Sequence, residues 1–295
     1  MSQLNGMIVK GIGGFYYVEA AGSLYECKAR GLFRKKKVTP YVGDRVTIRL
    51  ENDGTSTIEE ILPRANYLIR PPIANIDQLI LVVSVCDPAP NTLIIDKTIA
   101  AAEAKGIEPV IVLSKTDLQD CGWLIDIYRA TEIPLLTVSS VTGEGVEAVR
   151  KLLQGKISAF TGNSGVGKTA LLNQIDSRFH LETGEISQKL GRGRHTTRQV
   201  ALLKLSDETY VADTPGFSSI SLERYDLIKK ERLPYCFREF IPYLNQCKFT
   251  TCSHTCEKGC AVLQAVEEGI ISKSRHESYV AMYQEVKDLK EWNLK

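Results

Sequence analysis

Three patterns of hydrophobic and polar positions follow one another along the 295-residue chain. In residues 1–65, apolar and polar positions alternate in short stretches that glycines separate. This period of two predicts half-buried strands. The stretches are residues 7–9, 15–18, 23–27, 45–50 and 56–58. Four or five short strands in so short a segment predict a small β-barrel, and an oligonucleotide-binding (OB) fold is the leading candidate.

Residues 66–222 instead alternate continuous apolar runs with helical stretches. The predicted strands are residues 79–85, 109–113, 135–139, 157–161 and 209–212, and the predicted helices are residues 91–105, 122–130, 145–153 and 170–176. Such alternation predicts a parallel sheet with helices on both faces. Function in such sheets gathers at the carboxyl ends of the strands.

Residues 223–295 begin with a cysteine-rich segment and continue with helical periodicity, from Val262 and Val266 to Tyr279 and Met282. This pattern predicts a small helical domain organised around a metal. The predicted fold is therefore a multi-domain α/β chain. It has an OB-fold barrel in residues 1–65, an α/β domain in residues 66–222 and a metal-binding helical domain in residues 223–295.

Hydropathy argues against a membrane protein. The longest apolar run, residues 79–86, is much shorter than the roughly 18–20 residues of a membrane-spanning helix. The first residues lack the basic and then apolar layout of a secretory signal. We therefore expect a cytoplasmic protein with no membrane partner. No sequence feature fixes the oligomeric state, and a monomer is the expectation.

Five of the eight cysteines lie between Cys236 and Cys260. In a reducing compartment such a cluster indicates a metal site rather than disulfides. The spacing Cys247-x₄-Cys252-x-His254-x₅-Cys260 offers three thiolates and an imidazole, the ligand set of a closed tetrahedral structural Zn²⁺ site. Cys256 is a surplus thiol that could replace one ligand. The alternative interpretation is a set of ordinary free cysteines.

A phosphate-binding loop follows the predicted strand 157–161 and precedes a helical stretch. It matches the pattern G-x-x-x-x-G-K-[ST]. Its residues are Gly162, Asn163, Ser164, Gly165, Val166, Gly167, Lys168 and Thr169. Glycines allow backbone N–H groups to surround phosphates, Lys168 neutralises the β and γ charges, and Thr169 offers a hydroxyl to Mg²⁺. A chance glycine-rich turn is the alternative.

Two further motifs end predicted strands upstream of this loop. Ser114, Lys115, Thr116 and Asp117 resemble the [NT]-K-x-D guanine motif, with serine in place of asparagine or threonine. A carboxylate at Asp117 can accept from the guanine N1–H and N2–H₂ donors, which adenine lacks. Ser139 and Ser140 resemble the second guanine loop, again with a departure at Ser140.

Two motifs follow the phosphate loop. Asp213 and Gly216 belong to Asp-Thr-Pro-Gly, which resembles the D-x-x-G motif. In that motif the aspartate holds Mg²⁺ through water and the glycine N–H contacts the γ-phosphate. A switch threonine for Mg²⁺ is either Thr196 or Thr197. In ordinary GTPases the phosphate loop comes first and the guanine motif late, whereas here the guanine motifs precede it.

This permuted order and the flanking segments closely resemble the RsgA family of small-ribosomal-subunit-dependent GTPases, over essentially the whole chain. The resemblance implies an OB domain, a circularly permuted GTPase domain and a C-terminal zinc domain whose four ligands match residue for residue. It also implies that nucleotide state could move a domain that touches RNA. The implied ligands are GTP or GDP with Mg²⁺ and one structural Zn²⁺, and the implied partner is the small ribosomal subunit with its rRNA.

The residue that orients the attacking water is not the usual glutamine, because Phe217 stands at that position. His195 in the switch segment is the best candidate, and the family resemblance points to the same residue. A surface role or an RNA contact beside Arg192, Arg194 and Arg198 is the alternative for His195. No residue is obviously an arginine finger, so intrinsic turnover should be slow without a partner.

A net charge of +2 gives no general argument for nucleic-acid binding, so only local basic clusters bear on it. These are residues 34–37 beside Phe33, the arginines of the switch segment, and Lys248 in the metal loop. Two other functions compete with a ribosomal GTPase. A metabolic P-loop ATPase would prefer adenine, and a zinc-stabilised RNA-binding scaffold with a vestigial nucleotide site would bind without turnover.

Overall fold

A computed structural model describes residues 2–35, 38–51, 55–69, 72–179, 201–213 and 228–288. Its first part is a closed five-stranded barrel. The strands are β1 (Ser2–Ile12), β2 (Phe15–Ala20), β3 (Ser23–Ala29), β4 (Arg45–Leu50) and β5 (Ser56–Ile61). β1 pairs with both β2 and β4, and β5 pairs with β4 and, in parallel, with β3. The predicted OB-like barrel is confirmed, with Ile8, Val18 and Ile48 in its core.

The basic run of residues 34–37 begins inside a helix. A short helix, α1 (Gly31–Lys35), includes the first two residues of that run. It forms because the partly buried Phe33 packs against the barrel core and its carbonyl accepts from the N–H of Val38 at 2.9 Å. Phe33 therefore stabilises the barrel and is not a free stacking surface.

A six-stranded sheet follows the short antiparallel pair β6 (Tyr67–Leu68) and β7 (Ile73–Ala74). Its strands are β8 (Gln78–Ser84), β9 (Glu108–Ser114), β10 (Leu135–Val138), β11 (Ile157–Thr161), β12 (Ala201–Ser206) and β13 (Thr209–Asp213). The spatial order is β10-β9-β8-β11-β13-β12, and the first four pairs are parallel. β8, β9 and β11 are buried along almost their whole length, as continuous apolar runs predict.

Helices cover both faces of this sheet, as predicted. They are α2 (Thr92–Ala104), α3 (Gly122–Tyr128), α4 (Val146–Leu153) and α5 (Lys168–Ile175). α4 and α5 pack on one face, and α2 and α3 pack on the other. Asn91 begins α2 because its side chain accepts from the N–H of Ile94 at 3.2 Å. Within the described parts of the chain, no helix is both long and apolar enough to span a bilayer.

β12 was not predicted from the sequence, and it joins the two sheets. It pairs with β13 and, through Ala201 opposite Lys10, with β1 of the barrel, both in the antiparallel direction. The barrel and the central sheet thus form one sheet of eleven strands. Across the junction, the Glu19 carboxylate accepts from Lys204 Nζ at 2.5 Å and from the Tyr210 hydroxyl at 3.1 Å.

The C-terminal part is helical and packs against α2. It contains 3₁₀ helices at Leu233–Cys236 and Arg238–Tyr243, and the helices α6 (Ala261–Glu267) and α7 (Lys273–Val286). Its core includes the aromatic side chains Phe237, Phe240 and Tyr279 together with Ala100 and Ala101 of α2. Helix α2, which covers the central sheet, therefore also packs against the core of the C-terminal region.

A buried charge network also fixes α7 to α2. The Arg275 guanidinium, which is 1% exposed, donates to Asp96 Oδ1 at 2.7 Å and to the two Glu239 oxygens at 2.7 and 3.2 Å. Its Cζ atom lies 4.5 Å from the Phe237 ring centroid. The Tyr128 hydroxyl donates to the same Asp96 oxygen at 3.0 Å. Paired and hydrogen-bonded in this way, the buried charges are tolerated.

Candidate functional site

The phosphate loop connects β11 to α5 at the carboxyl end of the sheet. Gly162 has φ 143°, and a Cβ there would lie 2.3 Å from the Val82 carbonyl oxygen. Gly165 and Gly167 have φ 82° and 94°. These backbone conformations and this close approach exclude larger residues, so the glycines of the motif are structurally required.

Lys168 folds back over this loop. Its Nζ donates to the carbonyl oxygens of Gly162 at 2.6 Å and Asn163 at 2.7 Å. Burial lowers the pKa of Lys168, which means that the ammonium group is poorly hydrated. A poorly hydrated cation inside a ring of backbone groups is well suited to phosphate oxygens. Thr169 follows directly in the first turn of α5 and is half-buried.

Ser114 is buried between the end of β9 and the phosphate loop. Its hydroxyl lies 2.5 Å from the Val166 carbonyl oxygen and 3.2 Å from that of Val83, either of which can accept its proton. The serine that stands in place of asparagine or threonine therefore contacts the phosphate loop through its hydroxyl. This contact connects the predicted guanine motif directly to the phosphate loop.

The next residues of this motif have defined positions. Lys115 has φ 62°, in the left-handed region, and its Nζ donates to the Asp87 carbonyl oxygen. The Thr116 N–H donates to the Val138 carbonyl oxygen at 3.3 Å, which connects the motif to β10. The Asp117 carboxylate is exposed and has no protein hydrogen-bond partner among the described residues. It is accessible to a ligand from solvent.

Ser139 and Ser140 form a tight loop at the end of β10. The Ser139 hydroxyl oxygen accepts from the N–H groups of Val141 at 3.2 Å and Thr142 at 3.1 Å. The Ser140 carbonyl accepts from the Gln174 side chain of α5 at 3.2 Å. The structure thus brings the three predicted motifs together at the carboxyl ends of β9, β10 and β11.

A cavity of about 220 Å³ lies beside the phosphate loop, and sequence reasoning did not predict it. Asn163 and Val166 of the loop lie on one wall, and Ile94, Ile95 and Thr98 of α2 lie on another. Helix α2 therefore borders the phosphate loop on one side and carries the C-terminal helices on its other side.

The four predicted metal ligands form a compact cluster. The ligand atoms of Cys247, Cys252, His254 and Cys260 all lie within 4.8 Å of one another. His254 Nδ1 is 3.5 Å from Cys247 Sγ and 3.6 Å from Cys260 Sγ. Three thiols and an imidazole at these separations fit a tetrahedral metal ion. The cluster could therefore hold a metal.

The surroundings of the cluster orient the ligands. His276 Nε2 lies 2.8 Å from the His254 carbonyl oxygen, and the Tyr279 hydroxyl donates to the Ser253 carbonyl at 2.7 Å. Burial raises the pKa of the Cys252 thiol to about 12, so a thiolate there needs a neighbouring cation. Burial opposes ionisation of Glu257, but hydrogen bonds from Ser253 and from backbone N–H groups hold its pKa at about 2.

Cys256, the surplus thiol, is not part of the cluster. Its side chain is exposed, and the Thr255 hydroxyl donates to its Sγ at 3.7 Å. Cys236 is buried away from the cluster, with its Sγ 3.6 Å from the Arg232 carbonyl oxygen. The structure therefore selects the same four ligands as the sequence.

Comparison with known proteins agrees with this architecture. Residues 61–223 match the profile of the RsgA GTPase family, and residues 5–58 match the profile of the RsgA N-terminal domain. A relative from Caldanaerobacter subterraneus subsp. tengcongensis, a small ribosomal subunit biogenesis GTPase RsgA, is 46% identical over 98% of this chain and 97% of its own length. The chain belongs to the RsgA GTPase family.

Two solved structures of similar proteins match this chain over nearly its whole length. YjeQ from Thermotoga maritima superposes with a TM-score of 0.84 and 39% identity, over 98% of this chain and 100% of YjeQ. YloQ, described as a circularly permuted GTPase, gives a TM-score of 0.80 and 34% identity, over 98% of this chain and 96% of YloQ. The Streptococcus pneumoniae RsgA is 43% identical over 98% of this chain and 96% of its own length.

Membership of the RsgA family confirms the resemblance that the order of the motifs indicated. It also identifies the chain as a GTPase. The guanine motifs after β9 and β10 precede the phosphate loop after β11, which is the permuted order. The predicted switch residues His195, Thr196, Thr197 and Gly216 lie outside the described residues, as does the side chain of Asp213, whose backbone ends β13. Their roles stay predictions.

Proposed function

We propose that this GTPase acts in late maturation of the small ribosomal subunit, and that the subunit stimulates its hydrolysis of GTP to GDP and phosphate. The observation that carries this proposal is at the carboxyl edge of the sheet, where Ser114 contacts the phosphate loop at Val166 and Ser140 contacts Gln174 of the helix that follows this loop. Relatives that match nearly the whole chain are named small ribosomal subunit biogenesis GTPases. The expected cellular location is the cytoplasm, and the expected form is a monomer.

Binding of the phosphates is assigned to the loop of residues 162–169. Lys168 would exchange its two carbonyl partners for β and γ oxygens, because its burial favours a charged ligand over water. Thr169 and Asp213, with either Thr196 or Thr197, would hold Mg²⁺, which neutralises charge on the phosphates when bound. The Gly216 N–H is assigned to the γ-phosphate.

Guanine recognition is assigned to the two strand-end loops. The exposed Asp117 carboxylate would accept from guanine N1–H and N2–H₂, and the Lys115 stem would lie over the base. Hydrogen bonds to a charged group contribute about 1.5–3 kcal/mol, so this carboxylate favours GTP over ATP by roughly ten-fold or more. The Ser139 and Ser140 loop would close the other side of the base.

His195 is proposed to orient the attacking water, since Phe217 has no hydrogen-bonding group. Phosphate release should be measured from GTP and from ATP, with and without purified small subunits, for the wild type and for His195→Ala. We expect strong stimulation that is confined to GTP and lost in the variant. His180→Ala is the matched control and should keep the stimulation.

The same measurement separates the competing functions. Equal use of ATP would indicate a metabolic ATPase. Binding of GTP without turnover under every condition would indicate a scaffold with a vestigial site. Hydrolysis of GTP that is indifferent to small subunits would contradict the ribosomal function and leave the phosphate loop assignment intact.

We assign one structural Zn²⁺ to Cys247, Cys252, His254 and Cys260, because four protein ligands leave no open coordination position for catalysis. Chelation is expected to loosen the C-terminal helices while GDP binding persists, since the phosphate loop lies in the sheet domain. Metal analysis, protease sensitivity and GDP affinity should be measured before and after chelation. Cys247→Ala should lose the metal, whereas Cys256→Ala should retain it.

The proposed RNA contacts are the barrel and local basic clusters, because positively charged grooves and aromatic side chains bind single-stranded nucleic acid on OB folds. Residues 34–37, the arginines of the switch segment and Lys248 are the candidates. If Cys256→Ala retains its metal and binds small subunits normally, the surplus thiol takes no part in the metal site or in the RNA contacts.

A further inference from the structure

The metal loop presents an aromatic side chain to solvent. Residues 248–251 are all exposed, and Phe249 is 50% exposed. Its neighbours Cys247 and Cys252, by contrast, pack against the C-terminal core. Half of the Phe249 surface therefore stays in contact with water, and this half gains nothing from the folding of its own chain.

This loop is held in one conformation. The Lys248 N–H donates to the Gly259 carbonyl at 2.9 Å, and the Cys252 N–H donates to the Phe249 carbonyl at 3.3 Å. Gly259 has φ 80°, and a Cβ there would lie 3.1 Å from Lys248 Cβ. Both ends of the loop are metal-cluster cysteines. Phe249 is therefore displayed on a rigid turn, which lowers the entropic cost of binding.

The local charge is positive. Lys248 Nζ lies 5.6 Å from the Phe249 ring centroid, and Lys258 is exposed next to Gly259. The nearby carboxylate of Glu257 accepts from the N–H groups of Ser253 at 2.7 Å and of Thr255 and Cys256 at 3.1 Å, so it faces into its own loop. An ammonium group thus lies beside the exposed aromatic ring.

We propose that Phe249 and Lys248 form a binding site for an unpaired RNA base and its phosphate. The ring would stack on the base while the ammonium group contacts the phosphate, which is how proteins bind single-stranded RNA. A cation next to the ring favours an anionic ligand over an apolar protein surface. This inference rests on the proposed ribosomal function, and it names the chemistry of one contact.

The test compares Phe249→Ala, Phe249→Leu and Phe249→Trp in the full-length, metal-loaded protein. Affinity for purified small subunits is measured over a range of salt concentrations. Stacking predicts a loss of about tenfold or more for alanine and for leucine, and near-normal affinity for tryptophan. Lys248→Ala should reduce the slope of log affinity against log salt by about 1. Tyr235→Ala, which removes another exposed aromatic, is the control and should bind normally.

Zinc content and GDP affinity of each variant show whether its fold is intact. If an intact Phe249→Ala protein binds small subunits as tightly as the wild type, the inference is overturned. Normal binding by Phe249→Leu also overturns it, because an apolar contact would then suffice. Photo-crosslinking of the bound complex should join the loop to a nucleotide, and a crosslink to a ribosomal protein instead would contradict it. Failure of the wild type itself to bind subunits would refute the proposed function, which is a separate outcome.

Discussion

Lys168→Ala is expected to lower subunit-stimulated GTP hydrolysis by roughly 10²–10³-fold. The physical reason is the position of its ammonium group inside the phosphate loop, 2.6 Å from the Gly162 carbonyl oxygen, where burial has already removed much of its hydration. Phosphate release at saturating GTP and saturating small subunits measures the effect on turnover, and GDP affinity measures the effect on binding.

Lys151→Ala is the matched control, because Lys151 is exposed on α4 and should not alter the rate. A folded Lys168→Ala protein with the wild-type rate would contradict the assignment of the phosphates to this loop. A loss of GDP binding with unchanged turnover at saturation would show that Lys168 stabilises the bound ground state and the transition state equally.

Arg275→Met is expected to lower the free energy of unfolding by about 3–5 kcal/mol. The variant leaves the carboxylates of Asp96 and Glu239 buried without their common cation. Burial already raises the pKa of Asp96, with Arg275 opposing that shift. Urea unfolding of the metal-loaded protein measures the change. Arg129→Met, which breaks an exposed pair with Asp126, is the control and should cost less than about 1 kcal/mol.

The pH dependence gives a second check on this network. Without Arg275, the folded-state pKa of Asp96 should rise further above its unfolded value. The unfavourable contribution of Asp96 to the variant's stability is then absent below its unfolded-state pKa and complete once the pH has risen through its folded-state pKa. The difference in the free energy of unfolding between wild type and variant should therefore become smaller as the pH is lowered from neutrality. The same difference in unfolding free energy at every pH would show that the variant loses stability through packing alone.

The central parallel strands could be predicted closely from the sequence. Residues 157–161 coincide with β11, and the predictions for β8 and β9 were off by one residue at most at each end. These strands are buried on both faces, so their apolar runs have clear boundaries. The metal ligands were also predictable, because all four lie in one short loop where spacing alone constrains the geometry.

Features that depend on distant parts of the chain could not be predicted. β12 has one buried side chain, Leu202, among exposed and half-buried ones, so its pattern is weak without its partners β13 and β1. The network of Asp96, Glu239 and Arg275 joins residues that local patterns treat as separate surface charges. The sequence showed Phe33 only as an aromatic neighbour of a basic cluster, because its contact with the barrel core is not local.

The pairing of Lys10 with Ala201 has a consequence for the order in which the chain folds during synthesis. The barrel strands emerge first and can close through β1 and β4, but the second half of β1 keeps an open edge until β12 has been made. Exposed strand edges promote association between chains, and contacts between distant residues form slowly. Nascent chains that stop before residue 201 should therefore be prone to aggregation, and in the completed eleven-stranded sheet β12 covers this edge at Lys10.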